Sequence, residues 1–317
     1  MKRHRKVIAL LRDAEHEHRC AVPGDRALYH ALRRRVGSRE VVSPYPNLFA
    51  DIAYWDSLNA EDRSLHMIRA LARIHPKWTF AGLSAACVYG YHHAYSLHDG
   101  SVSIASPKGS GRNDADRLHR IYMRSVPRWQ CRGIQVTSPA RTLIDCAGMP
   151  FDQALSIFDS ALRAGHVTAA DVATLMVQTN CDEPAIRKLL RHVNPLRENG
   201  GESWAYARIV GLGYAEPMMQ VEFDNPNSPD MPYRVDFCWK LADGRIIVAE
   251  YDGMAKYADA GNQKRASLQA KLDYERRREQ DLAAQRVSAV VHFFFEDVAD
   301  VTRLDDKLAE AGVPKIR

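Results

Sequence analysis

The stretch RVDFCWKLADGRIIVAEYDGMAKY, Arg234–Tyr257, constrains the fold more than any other part of the chain. Two apolar runs flank Ala242–Gly244, a tight-turn signal. The stretch therefore reads as a β-hairpin whose second strand, rich in Ile and Val, is buried. Yet the first strand carries Asp236, and the second ends in Glu250 and Asp252. Carboxylates are costly where a strand otherwise buries itself. Residues i and i+2 of a strand share a face, so Glu250 and Asp252 are expected on one side, and pairing of the two runs brings Asp236 near Glu250. Three converging carboxylates repel one another and lose hydration. A divalent cation offsets both effects, and Mg²⁺ prefers hard oxygen ligands of this kind. Such a site activates water and neutralises charge on a scissile phosphate. Glu202, on a preceding helix, offers a fourth carboxylate, and Lys256, just past the second strand, a phosphate contact.

The rest of the chain sets the frame. Its 317 residues are enough for two or three domains. No apolar run approaches the roughly 20 residues that cross a bilayer. The basic start, MKRHRKVIALLRDAEHEHRC, has too short an apolar run for a signal peptide, and acidic residues follow at once. A cytoplasmic location without membrane association is expected. The six cysteines, Cys20, Cys87, Cys131, Cys146, Cys181 and Cys238, show no paired metal-ligand spacing and are too sparse for a disulfide framework, so free thiols are expected. A formal net charge of +5 permits nucleic-acid binding without demonstrating it. Local basic clusters stand out at RRRVGSR and YERRRE, and each reads equally well as a solvated helix face.

Periodicity and punctuation divide the chain into three segments. Residues 1–75 read as mainly helical: KVIALLRDAE, then a helix entered at Pro23–Asp25 and broken by Gly37, then the β-like EVVSPYPNLFA. Helix, glycine turn and hairpin give the outline of a winged helix-turn-helix. A further amphipathic helix places Leu65, Ile68, Leu71 and Ala72 on one face. Residues 76–195 alternate strand and helix, with caps expected at Ser84, at Ser138–Pro139 and at Thr168, and a helix stop at Gly165. Residues 196–317 run helix, strand, strand, strand, helix, strand, helix. The fold class is α/β (α+β).

The third segment resembles the PD-(D/E)XK nuclease superfamily, and within it the Vsr-like branch. The residues that carry the resemblance are Asp236–Phe237 on one strand, Glu250-Tyr251-Asp252-Gly253 on the next, Glu275 and Arg278 on the following helix, and Gln220 ahead of the hairpin. The resemblance implies a restriction-endonuclease-like mixed sheet flanked by helices. It implies a metal held by Asp236, Glu250 and Asp252, with Glu202, Lys256 and Arg278 also in the catalytic group. The chain departs from the family at Asp252, where E-x-K would have lysine, and at Lys256, where Vsr-like members often carry histidine.

The middle segment, through LSAACVYGY, GIQVTSPARTLIDCA and FDQALSIFDSALRAGHVTAADV, resembles the AbiEi family, antitoxins of type IV toxin–antitoxin systems. Ser138, Ala140, Arg141, Thr142, Leu143 and Asp145 match its S-x-A-R-T-L-x-D signature. The resemblance implies an N-terminal winged helix that binds DNA through Arg33, Arg34, Arg35 and Arg39. Arg141 and Asp145, four residues apart, read as a structural ion pair ahead of a catalytic one. The loop PKGSGR, with Lys108 and Arg112, lacks phosphate-loop spacing and reads as a basic loop touching a DNA backbone. His16, His18 and Cys20, and His92 with His93, meet no second pair at zinc spacing and read as solvated or capping groups.

The expectation is a DNA-binding protein with a Mg²⁺- or Mn²⁺-dependent endonuclease-like domain, in phage or mobile-element defence. The alternative is a non-catalytic repressor or antitoxin with a degenerate nuclease fold and a cognate toxin as partner.

Overall fold

A computed structural model of the chain describes residues 5–108, 117–126, 128–252 and 265–316, with side chains in the last stretch from residue 273 onward. The chain divides into two compact units, residues 1–149 with 164–191, and residues 150–163 with 192–317. Lys256 and Arg112 lie outside the described residues. None of the described helices is long and apolar enough to cross a membrane.

The first unit opens with α1 (Arg5–His16) and α2 (Arg26–Gly37), followed by the antiparallel pair β1 (Val41–Tyr45) and β2 (Leu48–Asp51). Asp25 caps α2 by accepting the Leu28 N–H at 2.7 Å. Pro46 and Asn47 make the β1–β2 turn, with Asn47 in the left-handed region at φ 61°. Val7, Leu11, Ala31, Leu32, Val41 and Phe49 form one buried cluster joining both helices to the hairpin. Each of the Val, Leu and Phe side chains contributes about 1.5–3 kcal/mol through burial. Two helices follow, α3 (Ile52–Ser57) and α4 (Ala60–Ile74), and α4 buries Leu65, Ile68 and Leu71.

A five-stranded mixed sheet completes this unit. Its strands are β3 (Thr79–Phe80), β4 (Val102–Ser106), β5 (Leu118–Tyr122), β6 (Trp129–Cys131) and β7 (Ile134–Val136), in the order β5-β4-β3-β7-β6. Between β3 and β4 lies α5 (Gly82–Tyr89), and after β7 comes α6 (Pro139–Cys146). Ser138 caps α6 and Pro139 opens it. Ser84 does not cap α5, which starts two residues earlier. Its hydroxyl sits inside the helix and accepts the Ser103 N–H of β4 at 2.9 Å. Arg141 pairs with Asp145 at 2.8 Å in a site where Asp145 is almost wholly buried. Burial pushes the Asp145 carboxyl up to about 6, against the pull of Arg141. After α7 (Phe151–Arg163), α8 (Ala169–Met176) and α9 (Glu183–His192) follow. Thr168 and Asp171 form a reciprocal capping box on α8.

The second unit takes α7 together with α10 (Gly200–Gly211), β8 (Met218–Phe223), β9 (Tyr233–Lys240), β10 (Ile246–Tyr251), α11 (Arg265–Ala284), β11 (Val287–Phe293), α12 (Phe295–Ala299) and α13 (Val301–Glu310). The sheet order is β11-β10-β9-β8. β8, β9 and β10 run antiparallel in sequence, and β11 returns through α11 to lie parallel to β10. The expected αβββαβα order is observed, with the short α12 added before the closing helix α13. The segment 151–163, placed above with the middle region, packs instead on α10. The reason is a buried ion pair: Arg197 Nε lies 2.6 Å from Asp159 Oδ2, and its Nη2 3.1 Å from Oδ1, with both side chains 1% exposed. Asp159 also accepts the Asn194 N–H, and the guanidinium lies 4.0 Å from the Tyr206 ring centroid. Removing one partner leaves an uncompensated buried charge. Asp159→Ala is expected to cost the second unit about 3–5 kcal/mol, read as a lowered urea midpoint. The double variant Asp159→Leu with Arg197→Met should cost less than the two single losses added together, and strict additivity would show that the ions do not interact.

Candidate functional site

The functional groups of the second unit collect where its sheet forks. β9 and β10 pair from Lys240↔Ile246 to Phe237↔Ala249, and there the ladder ends. β9 continues to Tyr233 against β8, while β10 continues to Tyr251 against β11. At the fork, Asp236 Oδ2 accepts the Tyr251 N–H at 2.8 Å. The carboxylate thus satisfies a backbone donor that the ended ladder no longer serves, which is one physical reason for an Asp inside an apolar strand.

Gln220 faces Asp236 across β8 and β9, between the pairs Met219↔Phe237 and Val221↔Val235. Its φ of 53° is rare inside a strand and costs about 1–3 kcal/mol. The side-chain nitrogen Nε2 lies 3.1 Å from Asp236 Oδ1 and 3.1 Å from Glu202 Oε2. Glu202 reaches this point from the first turn of α10, where Asn199 caps the helix by accepting the Glu202 N–H at 3.0 Å. Neutral donors surround the Glu202 carboxylate: the Glu198 N–H at 2.8 Å, the Asn199 amide and the Gln220 amide. Glu202 is 2% exposed, and burial, followed by the like charge of Asp236, pushes its carboxyl up to about 7. Gly201 is required next to it, because a Cβ there would overlap the Tyr251 ring.

The other two carboxylates are claimed separately. Glu250 accepts from Arg278 Nη2 of α11, and the same nitrogen donates to the Arg234 carbonyl at 3.0 Å. Arg278 lies 3.8 Å from Glu275, three residues earlier, and 5.9 Å from the Tyr233 ring centroid. Asp252 Oδ2 lies 2.8 Å from Nδ1 of His292, the β11 residue paired in register with Glu250. Gln220, Asp236, Glu250 and His292 therefore occupy successive strands at one level of the sheet.

The expected metal set of Asp236, Glu250 and Asp252 is not among the three-ligand groups found within the described residues. Among the described residues, the set of three or more His, Cys, Asp or Glu ligand atoms lying within 4.8 Å of one another is Cys87, His93 and His98, in the first unit. Glu250 accepts from Arg278, 28 residues further on, and Asp252 faces His292, 40 residues further on. The fork instead brings together Glu202, Gln220 and Asp236. Glu202 and Asp236 are hard oxygen donors of the kind a divalent cation takes, and here one Gln220 amide nitrogen contacts both. His292 was missed by the sequence reading, although it is the lone ionisable residue in the apolar run VSAVVHFFF.

On α2, Arg33 and Arg34 are exposed, as are His30 and Arg26 one and two turns earlier, and Arg39 just beyond the helix. Arg35 is not part of this face. It lies on the buried side with Ala31 and Leu32, donates to the Ala31 carbonyl at 3.2 Å and approaches Glu40 at 3.6 Å. Lys108 is exposed. The chain matches no protein-family model, no curated protein and no solved structure.

The raised Glu202 carboxyl fixes a pH dependence. The unfolded chain ionises this group near its ordinary 4.5, while the folded chain keeps the proton to about 7. Stability contributed by the bound proton is present below the lower value and is lost as pH rises from one value to the other. Asp236→Asn removes the like charge and keeps a carbonyl for the Tyr251 N–H. It should recover about 1 kcal/mol at pH 8 and nothing at pH 4, measured by thermal unfolding across that range. Equal effects at both pH values would show that Glu202 does not sense Asp236.

Proposed function

We propose that the second unit is a divalent-cation-dependent phosphodiesterase acting on DNA, with a restriction-endonuclease-like fold related to the PD-(D/E)XK nucleases. The observation that carries this reading is the fork between β9 and β10, where Glu202 and Asp236 share one amide nitrogen of Gln220. The αβββαβ order supports the fold, and the fork gathers carboxylates from α10 and β9 beside the end of β10. Asp236 and Glu202 would hold Mg²⁺ or Mn²⁺, which supplies charge neutralisation at phosphorus and a more acidic water. Gln220 positions both carboxylates. Asp252 fixes Nδ1 of His292, which leaves Nε2 to accept or return a proton. Arg278 neutralises Glu250 and orients it along the strand end.

The first unit supplies the DNA-binding surface in this reading. The pair α1–α2 followed by the β1–β2 hairpin has the outline of a winged helix-turn-helix, and the exposed face Arg26, His30, Arg33, Arg34 and Arg39 suits phosphate contacts. One observation favours a second reading, a DNA-binding repressor or antitoxin of AbiEi type with a cognate toxin and no hydrolysis: Glu250 is already engaged by Arg278.

Supercoiled-plasmid nicking by the full chain with Mg²⁺ or Mn²⁺ separates the two. Wild type should nick, Asp236→Ala should fall to background, and His292→Ala should lose about 100-fold or more, as for a proton-transfer group. Equal background in all three sinks the nuclease reading. A salt-dependent gel shift on the gene's own upstream DNA, weakened by Arg33→Ala with Arg34→Ala, would then support the repressor.

A further inference from the structure

The first unit carries a second polar cluster, remote in sequence from the carboxylate fork. α5 ends at Gly90, whose φ of 78° is open to glycine without strain, and the chain reverses there. The segment after it folds back on α5, so that His93 and His98 come to Cys87. The spacing is Cys, five residues, His, four residues, His. The ligand atoms of the three side chains lie within 4.8 Å of one another. Cys87 is fully buried, and both histidines are partly so.

The hydrogen bonds around the cluster fix where its lone pairs point. His93 Nδ1 lies 2.6 Å from the Tyr91 carbonyl, which can only accept, so Nδ1 carries the proton. The lone pair of neutral His93 is therefore on Nε2. That atom lies 2.7 Å from Nε2 of His98. His98 Nδ1 in turn lies 2.8 Å from the Ser64 hydroxyl of α4. A hydroxyl can donate or accept, so His98 has two consistent protonation patterns. With its proton on Nε2 it donates to His93. With its proton on Nδ1 it donates to Ser64, and the two Nε2 lone pairs then face each other beside the Cys87 sulfur. A carbonyl on the outer nitrogen of one histidine and a hydroxyl on that of the other are the arrangement that orients imidazoles toward a metal.

We propose that Cys87, His93 and His98 form a Zn²⁺ site. One thiolate and two imidazole nitrogens suit zinc, and the chain's three donors leave the fourth tetrahedral position to water. Binding moves the His98 proton from Nε2 to Nδ1 and releases the Cys87 thiol proton to solvent, so the bound ion carries one thiolate and two neutral imidazoles. The ion ties α5 to the segment Tyr91–His98 and, through Ser64, to α4.

Cobalt provides the test. Full-length protein stripped with a chelator is titrated with Co²⁺ and then with Zn²⁺. The expected result is a thiolate-to-cobalt charge-transfer band in the near ultraviolet that saturates at one equivalent of Co²⁺, intense visible bands of a tetrahedral ion, and bleaching by Zn²⁺. Cys87→Ser should remove the charge-transfer band with the circular dichroism of the fold unchanged. His98→Gln, at a less buried position, should weaken the Co²⁺ affinity read from the charge-transfer band by tenfold or more, and Asp236→Asn should leave that band's titration unchanged. Absence of the charge-transfer band in wild type at excess Co²⁺ overturns the site, whatever the variants do. So does a band that survives in Cys87→Ser, or visible bands without charge transfer, which would place the ion elsewhere.

Discussion

The buried pair of Asp159 and Arg197 is the interaction on which the second unit's site rests. An isolated charge at either position would be prohibitively costly in an apolar interior, so the two ions fix each other's position. Their bidentate contact, the Asn194 N–H and the Arg197 carbonyl that accepts from Arg163 hold the turn before α10 against α7. That turn delivers Glu198 and Asn199, and Asn199 caps α10. The cap places Glu202 in the first helical turn, aimed at the sheet. From there the contacts run through the Gln220 amide to Asp236 and on to the Tyr251 N–H. A helix packed from an earlier part of the chain thus fixes a carboxylate beside a strand fork.

The fork explains why the sheet tolerates so much acid. A strand that loses its neighbour exposes a backbone donor, and Asp236 takes it. Gln220 pays for its position with a left-handed backbone, and strain of this kind persists where surrounding contacts determine it. The geometry leaves Glu202 poised near neutrality by burial and by the charge of Asp236. A carboxyl in that state responds to any positive charge placed beside it, and this makes the fork chemically more telling than Glu250 or Asp252.

Much of the second unit was legible in the sequence because its signals are local. The turn Ala242–Gly244, the Ile- and Val-rich strand behind it, and the element order all follow from residues within a few positions of one another. The same holds for the helix entry at Pro23–Asp25, for the cap Thr168, and for Ser138 with Pro139. Ser84 misled because a serine near a helix start can cap it or serve a neighbouring strand, and only β4 decides which. Arg35 lies in a run of arginines, but its helical phase with Ala31 and Leu32 turns it inward. For Glu250 and Asp252, the shared-face rule did not reveal which side chains would claim them. Arg278 and His292 compete for them from a helix and a strand that no local pattern ties to the hairpin. Cys87, His93 and His98 show the converse: no familiar zinc spacing marks them, and a glycine-permitted reversal after α5 brings them together.

The two readings of the fork differ in the state of Glu250. While Arg278 holds it, Glu250 contributes orientation and no net negative charge to the strand ends, and the acidic centre is Glu202 with Asp236. If an anionic phosphate backbone reaches the fork, it competes with Glu250 for the same guanidinium, because a carboxylate and a phosphate offer Arg the same paired oxygens. Substrate would then free Glu250 beside Asp236 at the moment when more negative charge arrives, which increases the demand for a cation. A binding-only protein has no use for that coupling. The Arg278–Glu250 pair is therefore the contact at which hydrolysis and simple binding call for different chemistry from the same residues.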